Sequence, residues 1–387
     1  MDIIDTFPLD VLPPESLFKQ WMDLYSHTEP PLSFRFSAIL YALSTAIGKR
    51  VWIDLGDRKT FPCLSVLLVG PSGIGKSTSL GFSRDVLETI PFEFKPYITG
   101  LGTKEKLVKD LEVFPHTAIL ASELSAQLGR AKYLETLIPV LTDLMDLPAE
   151  YRMMGTKKDG PIRIKEPQIT LFGCTTKEWM ESQMPDAAIA GGWLPRHLVF
   201  YEDQKHQCVA IPRRLLGKDG LKKLEERKQG FQHRFLDCVR TFTGEIDFKD
   251  IDVEDLFVEW VENFQITNAA LAPFQERGKE QVLKLSILIA LSCQETAVSE
   301  EHLKAAIAIF EYASRKLAEV AIPFSVMGKL HNQILKNIEK NSDGLTRVQI
   351  RKMMLHSLGA KDTDKILDSL LSSEKIAEHD GRISVLT

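Results

Sequence analysis

The residues best equipped for chemistry in this 387-residue chain are Gly70–Ser77, GPSGIGKS. They fit G-x-x-x-x-G-K-[ST], the pattern of a loop whose backbone N–H groups converge on phosphate oxygens. Gly70, Gly73 and Gly75 let the backbone approach an anion closely, and Pro71, Ser72 and Ile74 complete the turn. The helix that opens at Lys76 adds its positive dipole end to the same point. Lys76 is expected to hold the β- and γ-phosphates and Ser77 to ligate Mg²⁺, with Thr78 beside them on the nucleotide. The cofactors this loop implies are ATP and Mg²⁺.

Hydrolysis needs an acidic group on a neighbouring strand, and TAILASE supplies Glu123. A carboxylate there can orient and activate the attacking water and shares the metal's surroundings with Ser77. The usual pair is Asp-Glu; here Ser122 precedes Glu123, and Ser122 also suits the cap of a following helix. The run QITLFG ends in Cys174-Thr175-Thr176, which sets hydroxyls, Thr175 first, where they can contact a γ-phosphate or water. GGWLPRHLVFYE places Arg196 directly before a last strand, from which it can reach a neighbouring subunit's γ-phosphate.

Several segments must position these groups. LSVLLV is apolar throughout, as in a central strand covered on both faces. RVWIDL and LSVLLV read as strands flanking the turn Gly56–Asp57, and PYIT, TAILAS, QITLFGC and HLVFYE as further strands. Helical patterns fill the intervals, so the spacing predicts an α/β fold with a parallel sheet. YRMMGTKKDGPIRIKEP reads instead as a protruding hairpin around Lys-Lys-Asp-Gly. Helices are expected at 14–26, 31–47, 103–113 and 132–147. From Val209 the texture becomes long helices at 219–240, 253–263, 281–293 and 300–320, ended by Pro323. Helices at 327–340, 346–358 and 362–372 and a strand pair around Asp380–Gly381 follow in winged-helix order. The expected division is 1–55 N-terminal helices, 56–208 ATPase core, 209–322 helical lid and 323–387 winged helix.

Composition narrows the class. The formal net charge is -5, so nucleic-acid binding has to come from local basic patches. Five separated cysteines show no metal or redox spacing and read as buried, reduced thiols. The acidic, Pro-containing start is unlike a secretory signal, and the apolar runs are too short to cross a bilayer. A cytoplasmic protein with no membrane partner is expected. No clustered metal carboxylates or zinc-ligand spacing suggest primase or nuclease chemistry.

These parts, in this order, resemble the AAA+ class of P-loop ATPases. They are most similar to ring-forming replicative helicases of superfamily 3 and of the minichromosome-maintenance type, and to helicase-like or primase-associated ATPases of phages, plasmids and mobile elements. The resemblance runs through GPSGIGKS, ILASE, the hairpin before ITLFGCTT and LPRHLVF, across residues 30–387. It implies a P-loop NTPase core, a homo-oligomeric ring (a hexamer), Arg196 as an arginine finger, Thr175 or Thr176 at the sensor position, and Lys284 as a lid residue on the nucleotide. It also implies a hairpin gripping single-stranded or forked DNA through Lys157 and Lys158 at the tip, between Thr156 and Asp159, with Arg163 and Lys165 on the returning strand. Lysines there would neutralise phosphates without reading bases. A separate primase or replication protein is an expected partner. A DNA-binding loader or initiator that switches without unwinding, and a protein-remodelling ATPase, remain alternatives. In the winged helix, Asp362, Asp364 and Asp368 make the recognition helix acidic. Arg347, Arg351 and Lys352 form the better basic face, and protein contact and DNA binding both stay open.

Overall fold

The computed structural model describes residues 6–124, 131–153, 160–184, 188, 191–266, 271–321, 334–335, 337–339, 341, 344–355, 359–372, 376–379 and 381–385. Helices α1 (Leu17–Leu24) and α2 (Leu32–Ile47) come first, followed by strands β1 (Val51–Asp54) and β2 (Lys59–Thr60). Next are β3 (Ser65–Val69), α3 (Lys76–Glu88), β4 (Tyr97–Thr99), α4 (Lys104–Val113) and β5 (His116–Ala121). The helix Ala131–Met145 leads to β6 (Glu150–Met153) and β7 (Ile162–Lys165), and then to β8 (Gln168–Thr175) and β9 (His197–Tyr201).

The five strands β4-β5-β8-β3-β9 lie in that order in one sheet, every pair parallel. All residues of β3 and β8 are buried, as a parallel sheet covered on both faces demands of its central strands. The turn Gly56–Asp57 joins β1 to β2, not to the LSVLLV strand as the sequence suggested. LSVLLV pairs instead with β8 and β9, where its unbroken apolar run is buried on both sides.

Helix α2 covers the sheet. Every residue from Ser33 to Ile47 is buried, which explains a helix with no polar face. Its fixing point is polar. The Tyr41 hydroxyl donates to the Thr170 carbonyl at 3.1 Å and lies 3.3 Å from the Ile119 carbonyl. Thr170 Oγ1 donates back to Tyr41 Oη at 3.2 Å and sits 2.8 Å from Thr45 Oγ1. Burial pushes the Tyr41 phenol above its ordinary value, so it stays a neutral donor.

Four long helices complete this unit: Pro212–Thr241, Ile251–Asn263, Ala272–Ser292 and Glu300–Ala321. The first is broken at Gly217, whose φ of 66° and ψ of 178° suit glycine alone. The helix expected to start at Gln281 starts at Ala272, because its polar opening turns carry no core pattern while Pro273 is compatible with a first turn. Trp21, Phe36, Phe235, Leu288 and Ile309 belong to one buried cluster, so the N-terminal helices, the sheet and these helices share a core. Residues Met1–Ala318 form one compact unit.

Residues Glu319–Thr387 form the second. It contains helices Arg347–Met354 and Ala360–Ser372 and the antiparallel pair β13 (Ile376–His379) and β14 (Arg382–Val385), the short strands Gly244–Glu245, Asp247–Phe248 and Ala297–Val298 being β10 to β12 of the first unit. Ile350, Ile366, Leu370 and Ile383 lie in its own core. Thr346 and Gln349 close a capping box on the first helix. Two of the three residues of the basic face expected there, Arg347 and Arg351, are paired with carboxylates. Arg347 pairs with Asp368 at 2.9 Å and Glu378 at 3.1 Å, and Arg351 forks onto Asp364 at 2.6 and 2.8 Å. Pro323 and most of 327–340 lie outside the described residues.

Among the described residues no helix is long and apolar enough to cross a membrane. All five cysteines are free, but Cys208 is exposed, contrary to expectation, because it sits in the loop beyond β9 rather than on a core element.

Tyr41→Phe removes the buried hydroxyl but keeps the ring. It is expected to lower unfolding stability by about 1–2 kcal/mol, by stranding the groups it bonds. The check is a shift of the urea midpoint at unchanged slope.

Candidate functional site

The loop that follows β3 is held from both sides. The Gly70 N–H donates to the Thr175 carbonyl at 3.2 Å, and the Glu202 N–H donates to the Val69 carbonyl at 3.1 Å. A Cβ on Gly70 would fall 2.3 Å from the Glu202 carbonyl oxygen. A Cβ on Gly75, whose φ is +107°, would fall 2.8 Å from Pro30 Cγ. Both positions therefore need glycine, and the loop passes where only bare backbone fits. Glu202 is itself anchored: its Oε1 accepts from Ser33 Oγ and Tyr312 Oη, both at 2.5 Å. Burial raises the Glu202 carboxyl above the ordinary carboxylate range, against the pull of those two hydroxyls.

Helix α3 starts at Lys76 with Gly75 as its cap residue, and no side chain caps it. In α1 and α4, Ser16 and Thr103 perform that task. The N–H groups of the first turn of α3 are thus available to an anion. Ser77 and Thr78 are exposed on that turn, while Lys76 is buried. The Lys76 ammonium donates to the carbonyls of Gly70 at 2.5 Å and Pro71 at 2.8 Å. Burial lowers its pKa, and the fields of Cys174, Glu123 and Glu178 oppose that shift. Lys76 is therefore within electrostatic reach of Glu123, which follows the end of β5 and is exposed.

Thr175 and Thr176, equivalent by sequence, have different employment. Thr176 Oγ1 accepts from the Trp179 N–H at 3.3 Å and caps the helix Lys177–Gln183. Thr175 Oγ1 is fully buried at the end of β8 without a hydrogen-bond partner, one residue position from the loop through the Thr175–Gly70 bond. Glu178 was not singled out by sequence; its only signal is its place two residues after that cap.

No protein-family model matches this chain, and no curated protein matches it.

Arg196 and Lys284 lie instead at the opposite ends of the strands. Ser65 at the start of β3 pairs with His197 at the start of β9, and Arg196 immediately precedes His197. A strand the length of β3, 5 residues, spans about 15 Å, so Arg196 lies that far from the loop of its own chain. Its Nε and Nη2 fork onto Asp146 at 2.8 and 2.5 Å, and Nη1 donates to the Gly192 carbonyl at 2.7 Å. Arg277 also reaches Asp146, at 3.4 Å, and Glu280, at 3.1 Å. Lys284 is buried and paired with Glu280 at 2.7 Å. Burial would raise Glu280, but Lys284 and Arg277 overrule it and hold the carboxyl at about 2. Lys284 shares this strand-start cluster with Arg196 and Ser65, away from the glycine loop after β3. Of the hairpin residues, Arg163 and Lys165 lie exposed on β7. Thr156, Lys157, Lys158 and Asp159 lie outside the described residues.

The donor set fits a nucleoside triphosphate: an uncapped helix terminus, a buried ammonium on the loop and an orphaned hydroxyl beside it. Among the described residues no three His, Cys, Asp or Glu side chains converge as a metal site. Ser77, with Glu123 nearby, suits Mg²⁺, which takes few protein ligands and shares phosphate oxygens.

Gly75→Ala forces a side chain against Pro30 at a left-handed φ. A stability loss of about 1–3 kcal/mol is expected. A fluorescent ATP analogue should bind at least tenfold more weakly, measured by titration below the unfolding temperature.

Proposed function

We propose that this chain is an ATP-driven motor of AAA+ type that assembles into a ring and acts on nucleic acid, a DNA helicase in the first instance. One observation carries the reading: a glycine loop wedged between Pro30 and Glu202 presents Lys76 and the free start of α3 within the field of Glu123.

Bound Mg·ATP would supply the phosphoanhydride whose hydrolysis releases energy for movement. The protein's part follows from its own groups. Lys76 exchanges its two loop carbonyls for phosphate oxygens, and the α3 N–H groups bind the same anion. Ser77 holds the metal, and Glu123 orients the attacking water as its general base. Thr175 Oγ1 gains a partner on the phosphate side. Arg196 is too far to serve its own loop, which supports its action on a neighbouring chain's nucleotide. For that it must leave the Asp146 fork, and Arg277 stands ready to take over the vacated carboxylate. The exposed basic residues of β7 support contact with a nucleic-acid backbone.

One feature favours a slower switch of the loader kind: Ser122 stands where a second carboxylate would strengthen the metal site. The two readings part on strand release from a forked duplex. The motor reading expects ATP-dependent release by the wild type and none by Lys76→Ala. DNA and ATP binding without release would favour the switch.

A second outcome concerns assembly. Lys76→Ala and Arg196→Ala should each be inactive as ATPases, while an equimolar mixture should recover about a quarter of wild-type phosphate release, because head-to-tail interfaces then contain some intact sites. Failure of the mixture to recover any activity would remove Arg196 from the neighbour's site.

A further inference from the structure

The hairpin β6–β7 sorts its side chains strictly by face. In its antiparallel register Glu150 stands opposite Lys165 and Arg152 opposite Arg163, while Tyr151 stands opposite Ile164 and Met153 opposite Ile162. Ile162 and Ile164 are buried. Successive strand residues point to opposite sides, so the ribbon lays an apolar face on the body and turns four charged side chains outward. Three of the four are basic.

Two arginines directly opposite each other on an exposed ladder repel, and folding alone gives no reason to place them there. The Arg152 and Arg163 side chains remain 65% and 60% exposed. One carboxylate serves both. Glu150 Oε2 accepts from Arg152 Nε at 2.6 Å, and Glu150 Oε1 lies 3.1 Å from Arg163 Nε. The hydrogen bond from Arg152 holds the Glu150 carboxyl below the usual carboxylate range, with Arg163 and Lys165 adding to the effect. Two oxygens bridging two guanidinium groups reproduce the acceptor pair that a phosphodiester offers, and guanidinium forks match that geometry. The sequence pointed to Arg163 and Lys165; Arg152 and Glu150 emerge only from the strand register.

We propose that Arg152 and Arg163 form a clamp for one backbone phosphate of a nucleic-acid strand, and that Glu150 occupies this clamp as an internal competitor until a phosphate displaces it. The inference rests on the nucleic-acid reading above and adds to it a specific pair of contacts and a built-in brake. The exchange involves no covalent step: a carboxylate leaves two guanidinium groups and a phosphate takes its place.

The test is fluorescence anisotropy of the full chain with labelled oligo(dT) and oligo(U), across a salt series, for the wild type, Arg152→Ala and Glu150→Gln. Arg152→Ala is expected to weaken binding about tenfold and to reduce the slope of log affinity against log salt by about 0.7, one lost phosphate on a single strand. Glu150→Gln is expected to tighten binding about threefold or more at about 0.1 M salt. Arg152 faces solvent, so Arg152→Ala should keep the wild-type thermal midpoint, while Glu150→Gln should lower it only slightly by leaving the two arginines opposed; a large drop in either would separate lost fold from lost contact. Wild-type binding with an Arg152→Ala slope and affinity unchanged would overturn the clamp and leave the nucleic-acid reading standing. Unchanged or weaker binding by Glu150→Gln would overturn the competitor. No binding of either probe by the wild type would remove both this inference and the reading beneath it. Preference for oligo(U) would keep the clamp and assign the strand to RNA.

Discussion

Everything at the glycine loop after β3 depends on a steric constraint: the chain leaving β3 must pass between the carbonyl of Glu202 and the ring of Pro30. No Cβ fits at Gly70 or Gly75. That narrow passage fixes the direction of the loop's N–H groups and the angle at which α3 begins. Each wall is held by other elements. Glu202 is tied to α2 through Ser33 and to the helix Glu300–Ala321 through Tyr312. Pro30 leads directly into α2, which Tyr41 fastens to β5 and β8. The helices outside the sheet thus hold the loop in shape, which accounts for their sharing one core with it.

The parallel sheet then divides the charges between the two ends of its strands. Strand ends gather Lys76, Glu123 and Thr175, while strand starts gather Arg196, Asp146, Arg277, Glu280 and Lys284. Because all five strands run the same way, the two groups stay a strand length apart within one chain. A site that combines Lys76 with Arg196 has to be built from two chains. The Asp146 fork gives Arg196 a defined place within its own chain, and Arg277 also reaches Asp146, so it would keep that carboxylate paired if the fork opened. Removing one partner of a part-buried pair is costly unless another takes its place.

Much of this was legible in the sequence for local reasons. GPSGIGKS carries its geometry in its residue types, and LSVLLV, TAILAS and QITLFGC are apolar runs that only a covered sheet accommodates. What escaped depends on partners far away in the chain. Thr175 and Thr176 look alike until the helix after them claims Thr176 as its cap. Arg347 and Arg351 read as a basic face because Asp364, Asp368 and Glu378, which neutralise them, come from a later helix and strand. Arg152 reads as an ordinary strand residue until the register sets it against Arg163. The start of the helix at Ala272 was missed because its first turns are mostly polar, with only Phe274 and Gly278 buried before the continuous buried run from Gln281.

The central claim is that the loop and the hairpin belong to one machine, so that nucleic acid controls hydrolysis at Lys76. Steady-state phosphate release, followed with and without single-stranded DNA, tests it most directly. Hydrolysis that rises severalfold on adding the strand, and vanishes in Lys76→Ala, is the expected result. A rate that ignores the strand, or that survives the loss of Lys76, would contradict it.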